Sequence, residues 1–341
     1  MDRDSFNSSV LHRDDNLCVT CKQLATAVHH IIDRSLWSDG GYYIDNGVSL
    51  CDLCHILAEQ TNLSCSELRY SARIQNIILP DHFFNDENYD KWGNIILPSG
   101  ARIKGELFNT EAVQKILPQS IKDTFLPYIK YPRTYHVSWS ENLQNDDRMH
   151  DNVDFFLNKE IVVTIKLDGE NTNLYPDYIH ARSIDSKHHE SRSWVKTLHG
   201  QIAHEIPAGW RICGENLYAK HSIHYHHLKS YFYIFSIWND ANISLSWNDT
   251  IQYAEILNLQ VVPVVFKGIW TSTTKSEITD AFNKYQQQSK DEVEGYVIRL
   301  ADQITFKDYR RCCAKWVRKS HVKTSQFWLR EKLIPNELEI L

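Results

Sequence analysis

A basic excess is missing from this chain: 37 lysines and arginines stand against 43 aspartates and glutamates, a formal net charge of −6. That excludes a protein that holds nucleic acid through its overall field and leaves the task to local patches. Also missing is any apolar run near the roughly 20 residues needed to span a bilayer. The opening MDRDSFNSSVLHRDD lacks the apolar stretch of a signal peptide. The expected location is therefore the cytoplasm, with no membrane partner. In a reducing compartment the eight cysteines are candidate metal ligands or buried thiols, not disulfide partners. No segment repeats another.

What is present is ordinary folded chain, 42% apolar and 23% charged over 341 residues, long enough for two or three modules. Residues 1–65 are compact and cysteine-dense. Residues 66–152 contain DKWGNIILPSGARIKGEL, which reads as short strands broken by Gly and Pro, then a helix from Thr110 to Ile116. The polar stretch SENLQNDDRMHDN, Ser140 to Asn152, is the expected junction. Residues 153–335 alternate strands and helices. Glu160 to Lys166, Tyr231 to Ile237, Val261 to Phe266 and Gly295 to Leu300 are rich in β-branched and aromatic residues and predict strands. Trp194, Val195, Leu198 and Ile202 predict one helix face. Ile251, Ala254, Ile256 and Leu257 predict another after the Ser246-x-x-Asp249 cap. The fold class expected is α+β.

KLDGEN begins at Lys166, directly after a strand, and TNLYPDYIHARS follows as a hairpin-like segment. A strand end can present a lysine at the mouth of a pocket, and a neutral lysine is a nucleophile toward phosphorus. Asp168 and Gly169 then form a turn that orients it and lets a phosphate or ribose approach. K-x-D-G alone is a short pattern, equally an exposed lysine before a turn. Its weight comes from companions in order: HARS with Arg182, RICGENLYAKHSIHY with Glu215, YFYIFSIW with Phe235, VEGYVIRL with Glu294 and CAKWVR with Lys315.

In this order the motifs resemble the covalent nucleotidyltransferase superfamily of polynucleotide ligases and mRNA capping enzymes, and within it the ATP-dependent RNA ligases. KLDGENT, HARS, GENLYAKHSI and EGYVIR, with YPRTYH near Tyr131 and DKWGN near Asp90, are similar to a bacterial nick-sealing RNA ligase family with a member in Deinococcus. The resemblance runs from about Asp90 to Lys323. It implies a nucleotidyltransferase (adenylation) domain of antiparallel sheets with helices. The implied activity is ATP-dependent joining of a 3′-hydroxyl to a 5′-phosphate in RNA repair, through lysyl-AMP and RNA-adenylate. RNA, as nicked duplex or broken ends, is the implied partner.

The resemblance also implies roles. Lys166 would receive AMP, Glu215 would hold the ribose, Phe235 would stack on adenine and Arg182 would meet a phosphate. Glu294 would bind Mg²⁺ or Mn²⁺, and Lys315 would sit against the α-phosphate and lower the pKa of Lys166 by like-charge repulsion. Asp168 and Gly169 would complete the nucleotide site. The chain departs from the family pattern at Ile165, Ser236 and Val317, where a glutamate, an aspartate and a second lysine are frequent, with Arg318 one step beyond Val317.

Cys18-x-x-Cys21 and Cys51-x-x-Cys54 have the spacing of a structural four-thiolate Zn²⁺ site. Between and after them, VHHIIDRSLWSDGG and DNGVSLCDLCH resemble an HNH nuclease motif on a treble-clef zinc module. This implies metal binding by His29 and His55, water activation by His30 and orientation of a histidine by Asn46. The expected proline after the paired histidines is absent. A zinc module that only binds nucleic acid or packs on the ligase is the other reading. Cys65, Cys213, Cys312 and Cys313 lack such spacing and read as buried thiols. The run Lys307 to Lys323, with Arg310, Arg311, Lys315, Arg318 and Lys319, is the densest basic patch. No five-stranded OB-fold fits in the residues after Lys315, so an accessory nucleic-acid module is expected N-terminal to the ligase domain. Alternative functions are a GTP-dependent RNA capping guanylyltransferase, an HNH endonuclease with a degenerate ligase domain, and a DNA ligase.

Overall fold

The computed structural model describes residues 1–143, 147–184, 186, 188–319 and 332–339. They form two units, Met1–Lys130 and Tyr131–Leu341. Among the described residues no helix is long and apolar enough to cross a membrane.

The first unit opens with α1 (Arg3–Arg13), whose Asp2 cap accepts a 2.8 Å bond from the Ser5 amide. β1 (Ala27–His30) and β2 (Gly47–Leu50) pair antiparallel, placing His29 opposite Val48. α2 (Asp52–Glu59) starts directly after Cys51, and α3 (Cys65–Ser71) is held by a Ser64/Glu67 capping box. The Gly- and Pro-broken stretch forms a meander of β3 (Asn88–Tyr89), β4 (Ile95–Ile96) and β5 (Arg102–Ile103). α4 (Glu111–Ile116), with Thr110 at its N-cap, and α5 (Gln119–Lys122) complete the unit. Asp90 pins the meander. It is buried and accepts from the Trp92 and Asn94 amides at 2.9 and 3.0 Å and from the Arg102 guanidinium at 2.8 Å. One apolar core runs from Cys18 to Leu117, so the stretches before and after Cys65 pack together.

In the second unit the order is β6 (Tyr135–His136), β7 (Glu160–Lys166), β8 (Glu170–Leu174), β9 (Ile179–Ala181), α6 (Ser193–Ile202), β10 (Arg211–Asn216), β11 (Phe232–Trp238) and β12 (Ile243–Ser244). Then follow α7 (Trp247–Ile256), β13 (Gln260–Val261), β14 (Val264–Ile269), α8 (Thr274–Gln288), β15 (Gly295–Leu300), β16 (Ile304–Thr305), α9 (Tyr309–Cys312) and β17 (Cys313–Val317). One sheet has the order β14-β7-β15-β17-β6. The other is β16-β12-β11-β10-β8-β9, with β13 beside β11. Pairing is antiparallel except for β13 on β11 and β6 on β17. The α+β class with antiparallel sheets is therefore observed.

β7 has both faces covered, which explains its near-continuous apolar reading. Ile161, Val163 and Ile165 join the cluster holding Ile278 and Phe282 of α8. Val162 joins Leu217, Tyr233 and Trp247. The two-residue period puts Thr164 and Lys166 on the Val162 side, toward the other sheet.

Four expectations need correction. The junction at Ser140 to Asn152 is no break between units, because β6, which lies before it, is hydrogen-bonded to β17. Residues 144–146 of that stretch lie outside the described residues. Val261 to Phe266 is two strands in different sheets, since Pro263 cannot donate to a ladder. Ile256 is 75% exposed, whereas Ala254 and Leu257 are buried as expected, together with Trp247 and Thr250. The strand expected at Tyr231 to Ile237 starts at Phe232 and extends to Trp238.

Candidate functional site

Lys166, Gly169, Arg182, Glu215, Phe235, Glu294 and Lys315 line one cavity of about 800 Å³ between the two sheets of the second unit. Each is delivered by a strand or its end. Lys166 is the last residue of β7 and Lys315 the middle of β17. Glu215 is on β10, Phe235 on β11, Glu294 just ahead of β15 and Arg182 just after β9. The register places Gly295 opposite Lys166, which brings Glu294 to the lysine. A side chain at Gly295 is excluded, since its Cβ would lie 2.0 Å from the Trp316 carbonyl oxygen. Phe235 presents its ring to the cavity and is braced edge-on by Tyr131, centroids 5.1 Å apart.

The Lys166 ammonium donates to Glu294 Oε2 at 2.5 Å. Burial works to neutralise this lysine, but Glu294, Glu215 and Asp168 outweigh it and hold its pKa above the ordinary value. The expected depression by Lys315 is not seen in this state, because Glu294, with the nearby Glu215 and Asp168, dominates the field at Lys166 and the Lys315 ammonium lies 3.3 Å from Asp147. Asp147 also lies 3.2 Å from His136 Nε2. Glu215 is the counterweight: burial, against the pull of Lys166, pushes its carboxyl up to about 8. Its Oε1 accepts from the Gly169 amide at 3.1 Å.

Asp168 is turned away from the cavity. Its Oδ2 accepts from the Ser222 amide, the Ser222 hydroxyl and the Ile223 amide, each at 2.8 Å, and its own amide donates to Tyr225 at 2.9 Å. It fixes the turn after Lys166 through the loop that follows β10. Gly169 is required for a packing reason, since a Cβ there would meet the Asn216 carbonyl oxygen at 2.6 Å. Motif reading did not reveal Asp147, His136, His188, His189, His221 or the Glu170–Arg192 pair, in which Arg192 Nε donates at 2.7 Å. These residues reach the wall through tertiary contacts that leave no local pattern.

At the departures from the family pattern, Val317 lines the cavity, whereas Arg318 is turned to Glu292 at 2.6 Å. Ser236 is buried and bonded to Ser244 at 3.0 Å. Ile165 is buried, with its amide donating to the Pro263 carbonyl at 2.8 Å. The basic run is not a uniform patch. Arg311 pairs with Asp308, Lys315 with Asp147 and Arg318 with Glu292. Lys323 lies outside the described residues.

In the first unit, Cys18, Cys21, Cys51 and Cys54 bring four sulfurs within 4.8 Å of one another. Although burial opposes it, the Cys21, Cys51 and Thr20 amides draw the Cys18 thiol down to about 6, whereas burial and the neighbouring sulfurs push Cys54 up. Four thiols so close ionise together only around a cation, and a soft tetrahedral donor set fits one. His29 and His55 meet a residue that motif reading missed, Glu59, whose Oε1 lies 3.2 and 3.4 Å from their nitrogens. The Lys91 ammonium stands 3.1 Å from the same oxygen. Burial and Lys91 hold the His29 imidazole down to about 3. His30 is outside this cluster, stacked on Phe6 at 4.7 Å. Asn46 bonds the backbone of Ile32 and Gly41, so it braces the loop after β1 and does not orient a histidine ring.

Cys65, Cys213, Cys312 and Cys313 are buried free thiols.

Residues 159–317 match the RNA ligase family. No curated protein sequence matches the chain. Among solved structures, a Naegleria gruberi RNA ligase variant with ATP and Mn is 16% identical with a TM-score of 0.34, over 49% of this chain and 52% of that one. An archaeal ATP-dependent RNA ligase is 12% identical with a TM-score of 0.39, over 56% and 48%. Naegleria gruberi RNA ligase with PPi is 17% identical with a TM-score of 0.36, over 56% and 58%. The chain thus spans about half the length of the solved structures it matches. The family to which the cavity-forming segment is matched is RNA ligase, over a little under half of the chain.

Proposed function

We propose that the chain is an ATP-dependent RNA ligase that works through a lysyl-AMP intermediate on Lys166. The observation that carries this reading is a strand-end lysine in a cavity that also holds a buried carboxylate, Glu294, at 2.5 Å and a second lysine, Lys315, on the same sheet. The family match over residues 159–317 supports it.

In the first step Lys166 Nζ attacks the α-phosphorus of ATP. The N–P bond forms as the bond to the leaving pyrophosphate breaks. An RNA 5′-phosphate oxygen then displaces the lysine, and a 3′-hydroxyl displaces AMP to leave a phosphodiester. Lys315 balances charge on the α-phosphate, Phe235 packs on the base, Glu215 receives the ribose and Arg182 meets a phosphate. Glu294, with its acceptor oxygens facing the cavity, would hold Mg²⁺ or Mn²⁺. Such an ion neutralises the transferring phosphates. It would also take Glu294 from Lys166 and so permit the lysine to lose its proton.

The division of labour proposed is a first unit, residues 1–130, in which the cysteine cluster holds Zn²⁺ and the later stretch serves as accessory nucleic-acid-binding segment, and an adenylation domain in the second unit. The role assigned is cytoplasmic repair of nicked or broken RNA, of the bacterial nick-sealing kind. HNH-type cutting by the first unit is the second reading. The His29, His55 and Glu59 cluster favours it, and the lysine cation at Glu59 counts against it.

The test is incubation with α-labelled ATP or GTP and Mg²⁺ or Mn²⁺. Label from ATP, absent in Lys166→Ala, is expected on the protein. Label from GTP would favour capping chemistry. No label from either, with metal-dependent cutting lost in His30→Ala, would favour the nuclease.

A further inference from the structure

We propose that His224, His226 and Glu337 form a binding site for a divalent transition-metal ion, which clamps residues 332–339 onto the loop between β10 and β11. Each side chain offers one ligand atom, and the three atoms lie within 4.8 Å of one another. Two imidazoles and a carboxylate suit Zn²⁺, Co²⁺ or Ni²⁺ and leave a position for water.

The site is built before any ion arrives. Residues 332–339 run along the loop through bridges at Ala219–Pro335 and Leu228–Leu338. Buried Asn336 locks them in place. Its Oδ1 accepts from the Tyr225 amide at 2.9 Å, and its Nδ2 donates to the Leu217 and Ala219 carbonyls at 2.8 and 3.3 Å. On the loop side, Asp291 accepts from the His226 and His227 amides at 2.9 and 3.0 Å, which fixes the histidine backbone.

The tautomer also fits. His224 Nε2 lies 3.1 Å from the Pro335 carbonyl, which can only accept. Nε2 therefore carries the hydrogen, and in the neutral ring Nδ1 keeps its lone pair, the arrangement that orients metal-bound histidines. His226 Nδ1 faces Glu337 Oε2 at 3.0 Å. Both side chains are about half exposed, and an exposed pair of this kind adds little by itself. An ion between them would make the contact a true tether.

The same loop grips Asp168 through Ser222, Ile223 and Tyr225, so the tether reaches the turn after Lys166. This consequence rests on the ligase reading; the metal site does not.

The experiment is a Co²⁺ titration of full-length protein whose cysteine site is already filled with Zn²⁺. One further equivalent is expected, with visible d–d bands and no sulfur charge transfer. Affinity should fall about tenfold or more in Glu337→Gln and in His226→Ala, and persist in His29→Ala. No further Co²⁺, or binding lost in His29→Ala and kept in Glu337→Gln, overturns the site. Because Glu337 is exposed, an unchanged Tm for Glu337→Gln verifies that this variant is folded. With the site filled, the KM for ATP in Lys166 labelling should fall at constant kcat, and an unmoved KM overturns the coupling. Co²⁺ bound as expected in a protein that never labels would instead reject the ligase reading and leave the clamp standing.

Discussion

Glu294 against Lys166, with Glu215 and Asp168 nearby, holds the proton on the lysine, and a protonated amine cannot attack phosphorus. Removing one carboxylate should therefore lower the pKa of Lys166. In Glu294→Gln the lysine should titrate below its wild-type value, as read by NMR of the isotope-labelled side chain. On the ligase reading proposed above, AMP transfer should nonetheless fall about a hundredfold or more, because Glu294 would no longer hold the metal ion. In the wild type, raising Mn²⁺ should shift the pH profile of labelling to lower pH. Glu215 gives a second test. Its ordinary pKa is 4.5 and burial raises it to about 8. Between those values the native state holds a proton that the unfolded chain has released, so stability falls as pH rises. The Tm of Glu215→Gln should fall less than that of the wild type between pH 5 and 8. Lys166, Glu215, Phe235, Glu294 and Lys315, which the structure brings to one cavity, were legible as candidates because each sits in a short motif on a strand or at its end. Asp147, Glu59 and Lys91 were not, since each matters through a partner far away in the chain.

At the scale of elements, strand composition exposed β7 and β15 to within a residue, because both are buried runs of β-branched side chains. It failed at Val261 to Phe266, where one apolar run serves two sheets and only Pro263 signals the division. It also failed at Asp168, whose turn is fixed by a loop more than fifty residues later. Two substitutions test how these elements are held. Gly295→Ala forces a methyl into the Trp316 carbonyl and should cost about 3 kcal/mol in urea unfolding of the second unit. Asn336→Ala leaves the Tyr225 amide and the Leu217 and Ala219 carbonyls without their partner and should cost about 2 kcal/mol.

For the whole molecule, the two units have separate cores, and only the first contains the four-cysteine cluster. Calorimetry should resolve two transitions. A strong chelator should lower the one belonging to residues 1–130 and leave the other in place, and movement of both by the same amount would count against separate cores. The order of the lysine-bearing sheet also bears on biosynthesis. β7 ends at Lys166, but its two neighbours begin only at Val264 and Gly295. At about 5–20 residues per second, a ribosome leaves this apolar strand with both edges unpaired for roughly ten seconds. During that interval it is a target for chaperones, and the cavity around Lys166 cannot exist on a nascent chain until synthesis has passed β17.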